Sequence, residues 1–278
     1  MEQILAFERE LVDSQWLQEV MIPNYKYLHL CPIVATVGYL AMLKVLPAIL
    51  TPKDGKVQPA GKPLKFVMAL WNLFLSLGSA LMLVGFLPRF LVYAQRKGMM
   101  EMICDTEHEL FNDPYIRFYI NLFIGSKFAE LLDTFFLIVK NPVRPVPFLH
   151  YYHHASVLLF CWYGVGYFRY TTGMAFGIVN ASVHTIMYFY YFLTELGYRP
   201  SWAIVITVIQ ISQMVLGIAL NTIWAVAYFN GKNCECTNPP IVLTATAVMY
   251  GSYLYLFVQF FLKRYSAPKS GSGKGKQE

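Results

Sequence analysis

Seven apolar runs, each about as long as the roughly 20 residues a helix needs to cross a bilayer, recur along the whole chain. They are Leu28–Leu50, Phe66–Pro88, Phe118–Lys140, Phe148–Phe168, Thr172–Leu193, Ser201–Phe229 and Pro240–Leu262. Only 14% of the 278 residues are charged, against about a quarter in soluble domains, and the mean hydropathy is +0.44. Lipid leaves no backbone group unpaired, so repeated runs of this length predict an all-α integral membrane protein with seven transmembrane helices. The reading divides the chain into a lumenal segment over 1–27, a seven-span domain over 28–262 and a basic tail over 263–278. The first 27 residues hold Glu2, Glu8, Glu10, Asp13 and Glu19 and lack the basic-then-apolar pattern of a cleaved signal.

Loop charges set the orientation. Outside the spans, one set of segments carries Lys53, Lys56, Lys62, Lys65, Lys140, Arg144, Arg199, Lys263, Arg264, Lys269, Lys274 and Lys276. The opposite set carries eight basic residues scattered among Glu101, Asp105, Glu107 and Glu109. The positive-inside bias then places the C-terminus in the cytosol and the N-terminus in the lumen. Lys274 and Lys276, third and fifth from the end, resemble a dilysine retrieval signal, a receptor-read address for the endoplasmic reticulum membrane; the plainer reading is a solvated Gly/Lys/Ser tail. Cys104, Cys234 and Cys236 fall in loops on the lumenal side, where disulfides persist, so Cys104 is expected to pair with Cys234 or Cys236. No basic run interleaves with aromatics, and no nucleic-acid partner is expected.

Charged side chains inside spans are expensive and mark functional sites. Lys127, Glu130, Asp133 and Thr134 share one helical stripe, with Lys127 and Glu130 spaced to pair and Asp133 left to orient a histidine. His150, His153 and His154 project from one face of the next span. Asn180, His184, Met187, Tyr188 and Tyr191 line the following one, and Thr207, Gln210 and Gln213 the sixth. A structural ion pair accounts for Lys127 and Glu130 equally well, and packing hydrogen bonds for Asn180, Thr207 and Gln213. At 1.5 Å per residue the stripes converge on a layer about 8 to 15 Å from the cytosolic end. Within a core about 30 Å thick, roughly 20 Å of apolar bundle remains below that layer.

In this order the motifs KxxExxDT (Lys127, Glu130, Asp133, Thr134), HxxHH (His150, His153, His154), NxxxHxxMYxYY (Asn180, His184, Met187, Tyr188, Tyr190, Tyr191) and TxxQxxQ (Thr207, Gln210, Gln213) resemble those of the very-long-chain fatty acid elongases, across all seven spans. The resemblance implies a 3-oxoacyl-CoA synthase that condenses a long-chain acyl-CoA with malonyl-CoA, releasing CO2 and CoA, and it needs no metal or cofactor. It is closest to the branch acting on saturated and monounsaturated chains. His153 is then the expected nucleophile, forming an acyl-imidazole, with His184 beside it. Asp133 or Glu130 would orient an imidazole, and His150 and His154 would hold the site by hydrogen bonds. Asn180 and Gln210 would bond malonyl-CoA, with Lys127, Tyr188, Tyr191 and Gln213 completing the substrate site. The apolar bundle would enclose the acyl chain as a blind tunnel.

Polyanionic CoA calls for cations at the cytosolic mouth, for which Lys140, Arg144, Lys263 and Arg264 are candidates beside the ordinary basic collar. Cys161 is a rival nucleophile by the logic of soluble ketosynthases. Implied partners are membrane lipid and the reductases and dehydratase of the same cycle, and self-association is compatible with the family. The competing readings are a histidine-box di-iron desaturase or hydroxylase, for which six histidines are few, and a seven-span receptor or transporter.

Overall fold

A computed structural model describes residues 28–55 and 60–266, all of whose regular elements are helical. The segment over 1–27 expected in the lumen, Lys56, and the tail lysines Lys269, Lys274 and Lys276 lie outside the described residues. The helices are α1 (Cys31–Leu50), α2 (Lys62–Lys97), α3 (Met99–Cys104), α4 (Glu109–Asn112), α5 (Pro114–Ala129), α6 (Leu131–Lys140), α7 (Phe148–Phe160), α8 (Thr171–Glu195), α9 (Ala203–Phe229) and α10 (Pro239–Phe261). Proline in the first turn starts α1, α2, α5 and α10, where its missing N–H has no partner to lose. The Asp113 side chain also caps α5 by accepting from Ile116 N at 2.8 Å.

Among the described residues four helices are long and apolar enough to cross a membrane: α1, α2, α9, and α10 with the turn that extends it to Ser266. The runs expected at Phe118–Lys140 and Phe148–Phe168 differ from simple spans. The first is two helices meeting at Glu130, where Glu130 N bonds Ser126 O at 2.9 Å and Asp133 N bonds Glu130 O, only three residues back, at 3.1 Å. Ser126 Oγ takes the carbonyl of Phe123 at 2.8 Å, a local bond that bends helices. The second passes from α7 into a π-helical stretch, Cys161–Tyr167, that ends with Phe168 N reaching back five residues to Tyr163 O at 2.7 Å. Such wide turns concentrate at functional sites.

Six of these units close into a ring. α2 packs along α8, α8 on α9, α9 on α10, α10 on α7, α7 on α5 and α6, and α5 back on α2, while α1 lies outside against α6 and α7. Phe86, Phe90, Phe123, Trp162 and Met174 fill one interior cluster. Gly85 of α2 lets Tyr119 of α5 lie against the backbone, since a Cβ there would fall 2.1 Å from the ring.

One end of the ring is tied by a disulfide between Cys104 and Cys234, leaving Cys236 free. The same end carries Arg169 Nε on Glu235 Oε1 at 2.5 Å, a contact of His108 with Glu235, and Thr237 N on Phe168 O at 2.9 Å. Beneath them Asp105, fully buried, accepts from Tyr93 OH, Glu109 N and Leu110 N, each at 3.0 Å. Burial pushes the Asp105 carboxyl above the usual carboxylate range despite these donors.

Candidate active site

The polar stripes of α5 to α8 turn inward and meet. The break at Glu130 keeps its carboxylate in the interior, where Lys127 Nζ donates to Oε1 at 2.6 Å; each residue is only 2% exposed. Lys127 also donates to Asn180 Oδ1 at 3.1 Å and lies 4.5 Å over the Phe123 ring.

These contacts fix a tautomer. An ammonium can only donate, so Asn180 presents its oxygen to Lys127 and its NH2 group to His184 Nε2, 3.3 Å away. Nε2 of His184 therefore accepts, the ring proton sits on Nδ1, and Nδ1 faces Glu130 Oε1 at 3.5 Å. Lys127, Glu130, Asn180 and His184 form one buried network.

The three histidines of α7 form a second group. His150 and His154 have ring centroids 4.4 Å apart, and His153 stands edge-on to His154 at 5.3 Å. His150 Nε2 pairs with Thr134 Oγ1 at 2.9 Å, and Thr134 pairs in turn with Tyr39 OH of α1 at 2.8 Å. His154 Nδ1 is buried with no hydrogen-bond partner among the described residues. The His153 ring packs on Tyr253 of α10 at 5.1 Å, and Tyr253 OH donates to the His153 carbonyl at 3.3 Å. The two groups adjoin closely enough for Glu130 and His184 to act electrostatically on His153 and His154.

Asp133 departs from its expected role. Both of its oxygens are engaged, Oδ1 by Trp71 Nε1 and Oδ2 by Tyr188 OH, each at 2.7 Å. It therefore braces α2 and α8 against α6 instead of orienting a histidine, and the carboxylate facing an imidazole is Glu130. Gln210 Nε2 rests on Met187 Sδ at 3.2 Å, and buried Gln213 has a free Oε1 among the described residues. Thr207 bonds its own helix, at Ala203 O. Tyr191 is exposed. Cys161 is a buried member of the apolar core.

At the end of the ring nearest the histidines, Lys140 Nζ pairs with Glu195 Oε1 at 2.5 Å, bridging α6 and α8. Arg144, Lys263 and Arg264 are exposed, with Arg264 over the Phe260 and Tyr265 rings. Among the described residues no three His, Cys, Asp or Glu side chains are placed to hold a metal ion.

Trp71, Tyr39 and Tyr253 lie outside the sequence motifs. Each carries one polar atom on an apolar ring and reads as core in an apolar run. The one signal for Tyr253 is its place on a helical stripe with Tyr250 and Phe257.

The profile of the ELO family, described as GNS1/SUR4, matches residues 27–273. The chain belongs to this family. Among its relatives, fatty acid elongase 2 of Trypanosoma cruzi (strain CL Brener) is 34% identical over 243 residues, covering 84% of this chain and 86% of the relative. Fatty acid elongase 1 of the same organism is 37% identical over 253 residues, covering 83% and 84%. Fatty acid elongase 1 of Trypanosoma brucei brucei (strain 927/4 GUTat10.1) is 39% identical over 208 residues, covering 72% and 66%. The four polar motifs of this ELO protein all lie within the matched residues.

Proposed function

We propose that this protein is the condensing enzyme of fatty acid elongation. It joins a long-chain acyl-CoA to malonyl-CoA and gives a 3-oxoacyl-CoA two carbons longer, CO2 and CoA. The observation that carries the reading is a buried His184 whose tautomer is set by Asn180 and which faces Glu130, in a bundle that also holds the half-buried His153, in a chain of the ELO family.

The chemistry follows from the two imidazoles. A neutral His153 nitrogen attacks the thioester carbonyl, the acyl–sulfur bond breaks, and CoA leaves as thiolate, producing an acyl-imidazole. His184, with its proton on Nδ1 and Glu130 behind it, offers Nε2 as a base or, once protonated, as a donor to the developing enolate. Malonyl-CoA loses CO2, and the resulting enolate carbon attacks the acyl carbon and frees His153. The overall reaction consumes one proton, which ends on the CoA sulfur. The scheme uses no cofactor. His150, locked by Thr134, and His154 hold the His153 ring in place.

Seven crossings, counting α5 with α6 and α7 with its π-helical extension, put the N-terminus in the lumen and the C-terminus in the cytosol of the endoplasmic reticulum. The positive-inside count and the Lys274/Lys276 pattern support that orientation. Lys140, Arg144, Lys263 and Arg264 then surround the mouth where CoA phosphates arrive, and Glu195 occupies Lys140 until a phosphate replaces it. An apolar acyl path runs from His153 toward the lumen. The saturated and monounsaturated branch, the reductases and dehydratase as neighbours, and self-association complete the reading.

The test is purified protein with labelled palmitoyl-CoA, with and without malonyl-CoA, followed by intact-protein mass and product analysis. An acyl adduct that malonyl-CoA clears into an eighteen-carbon 3-oxoacyl-CoA is expected, together with no adduct on His153→Ala. Adduct on the His153→Ala protein moves the nucleophile elsewhere, and absence of product at every chain length removes the assignment.

A further inference from the structure

Between α7 and α10 lies a groove of about 730 Å³ whose walls are almost wholly apolar. Its outer rim, Ile241 and Val248 of α10, is exposed on the face a membrane would cover, and its floor reaches Phe160 and Gly164. A hydrogen bond crosses at each end. At one end Tyr152 OH pairs with Ser252 Oγ at 2.8 Å; at the other the Thr237 N–Phe168 O bond joins the two segments.

The end at Tyr152 is also the turn that carries His153. Ser156, which lines the groove, pairs with Tyr253 OH at 2.6 Å, and the same hydroxyl donates to the His153 carbonyl. Tyr253 thus links the groove-lining Ser156 to the His153 turn, with its ring packed on the imidazole. Three features point to one occupant: an extended, almost wholly apolar slot, an exposed rim on the face a membrane would cover, and Tyr152 and Ser156 of the slot's lining on the same turn as the expected nucleophile.

We propose that this groove is a lateral acyl portal, through which the chain of the acyl-CoA substrate passes sideways between the bilayer and His153, with Tyr253 as its inner doorpost. The inference rests on the elongase reading. An acyl-CoA in a membrane already has its chain among the lipids and its polar head at the surface. Threading that chain methyl-first from a watery mouth into a closed bundle would expose every methylene to water, whereas a side slot keeps the chain in an apolar medium throughout.

The experiment uses the full chain in phosphatidylcholine nanodiscs with a palmitoyl-CoA carrying a photoreactive diazirine at its terminal carbon. Crosslinks are expected in the groove-lining parts of residues 159–168 and 240–249, and unlabelled palmitoyl-CoA is expected to displace them. Ala245→Trp sits at the rim two turns from Tyr253, about 12 Å along the helix, and fills the slot. It should lower kcat/KM for palmitoyl-CoA about tenfold, the scale of an overpacked site. Val84→Trp, on the exposed face of α2, is the folding control and should match wild type. Labels only on α5 and α8 overturn the portal, as do groove labels that palmitoyl-CoA does not displace, which mark bulk lipid. So does an Ala245→Trp enzyme with unchanged kinetics. Wild-type turnover in the same nanodiscs separates the two claims: turnover with no groove labelling defeats the portal alone, and no turnover with any acyl-CoA defeats the elongase reading.

Discussion

Replacing Glu130 by Gln tests whether the buried pair with Lys127 is structural, catalytic or both. Lys127 and Glu130 are each 2% exposed and 2.6 Å apart. Without the carboxylate, the ammonium keeps only the Asn180 oxygen at 3.1 Å and the Phe123 face. Stranding one charge of a buried pair costs about 3–5 kcal/mol, which at roughly 2–4 °C per kcal/mol for a chain of this size lowers Tm by about 10 °C. Removing both charges in Lys127→Met/Glu130→Leu should restore most of that stability, because apolar replacement of a whole pair is close to neutral. Activity should not return, since His184 Nδ1 has lost the group it faces. The assay is thermal unfolding in detergent alongside condensation of palmitoyl-CoA with malonyl-CoA. A Glu130→Gln protein as stable as wild type would place the pair on a solvated face and refute the burial argument. An active double variant would refute the role of Glu130 behind His184.

Four further outcomes follow from particular contacts. Thr134→Val leaves His150 Nε2 and Tyr39 OH unpaired and should cost about 1–3 kcal/mol of stability, with a fall in kcat; Tyr39→Phe should do less, and equal kinetics for all three proteins would cut the link between α1 and the site. Lys140→Glu should raise KM for CoA substrates through repulsion by Glu195, and adding Glu195→Lys should restore much of it, so an unchanged KM in the single variant would detach Lys140 from CoA. Cys234→Ser should lower stability by about 2–4 kcal/mol, while Cys236→Ser should not; loss of the crosslinked peptide in the Cys236 variant would contradict the Cys104–Cys234 pairing. Asp105 has a folded-state pKa raised by burial, so its protonated form favours the fold. Its contribution is present in full below the ordinary carboxylate pKa and is lost as pH rises through the raised value. As pH rises above the ordinary carboxylate value of about 4, Tm of wild type should therefore fall relative to Asp105→Asn, and a parallel pair of curves would show that the carboxyl is not desolvated.

Much of the site was legible because helical periodicity is a local property. Residues three and four apart share a face whatever surrounds them, so Lys127 with Glu130, the three histidines of α7, and Asn180 with His184 could be grouped before any packing was known. The partners across helices were not legible in the same way. Asp133 looked free because its donors come from Trp71, 62 residues earlier, and Tyr188, 55 later. Thr134 reaches Tyr39 across 95 residues. Trp and Tyr give no polar signal in an apolar run, because their rings satisfy the hydrophobic pattern while their N–H and O–H find partners only in three dimensions.

The sequence by itself determined that this chain is helical and apolar, since repeated, mostly apolar runs can satisfy their backbone only as helices in lipid. It also determined which residue types are buried at a cost and therefore worth explaining. Only the tertiary structure decided that the third run breaks at Glu130, that the fourth widens after Phe160, that Cys104 chooses Cys234 over Cys236, and that α7 and α10 part to leave a groove. Each of these depends on where a neighbouring helix lies, and helix packing is set by contacts between side chains far apart in the chain, which no local pattern encodes.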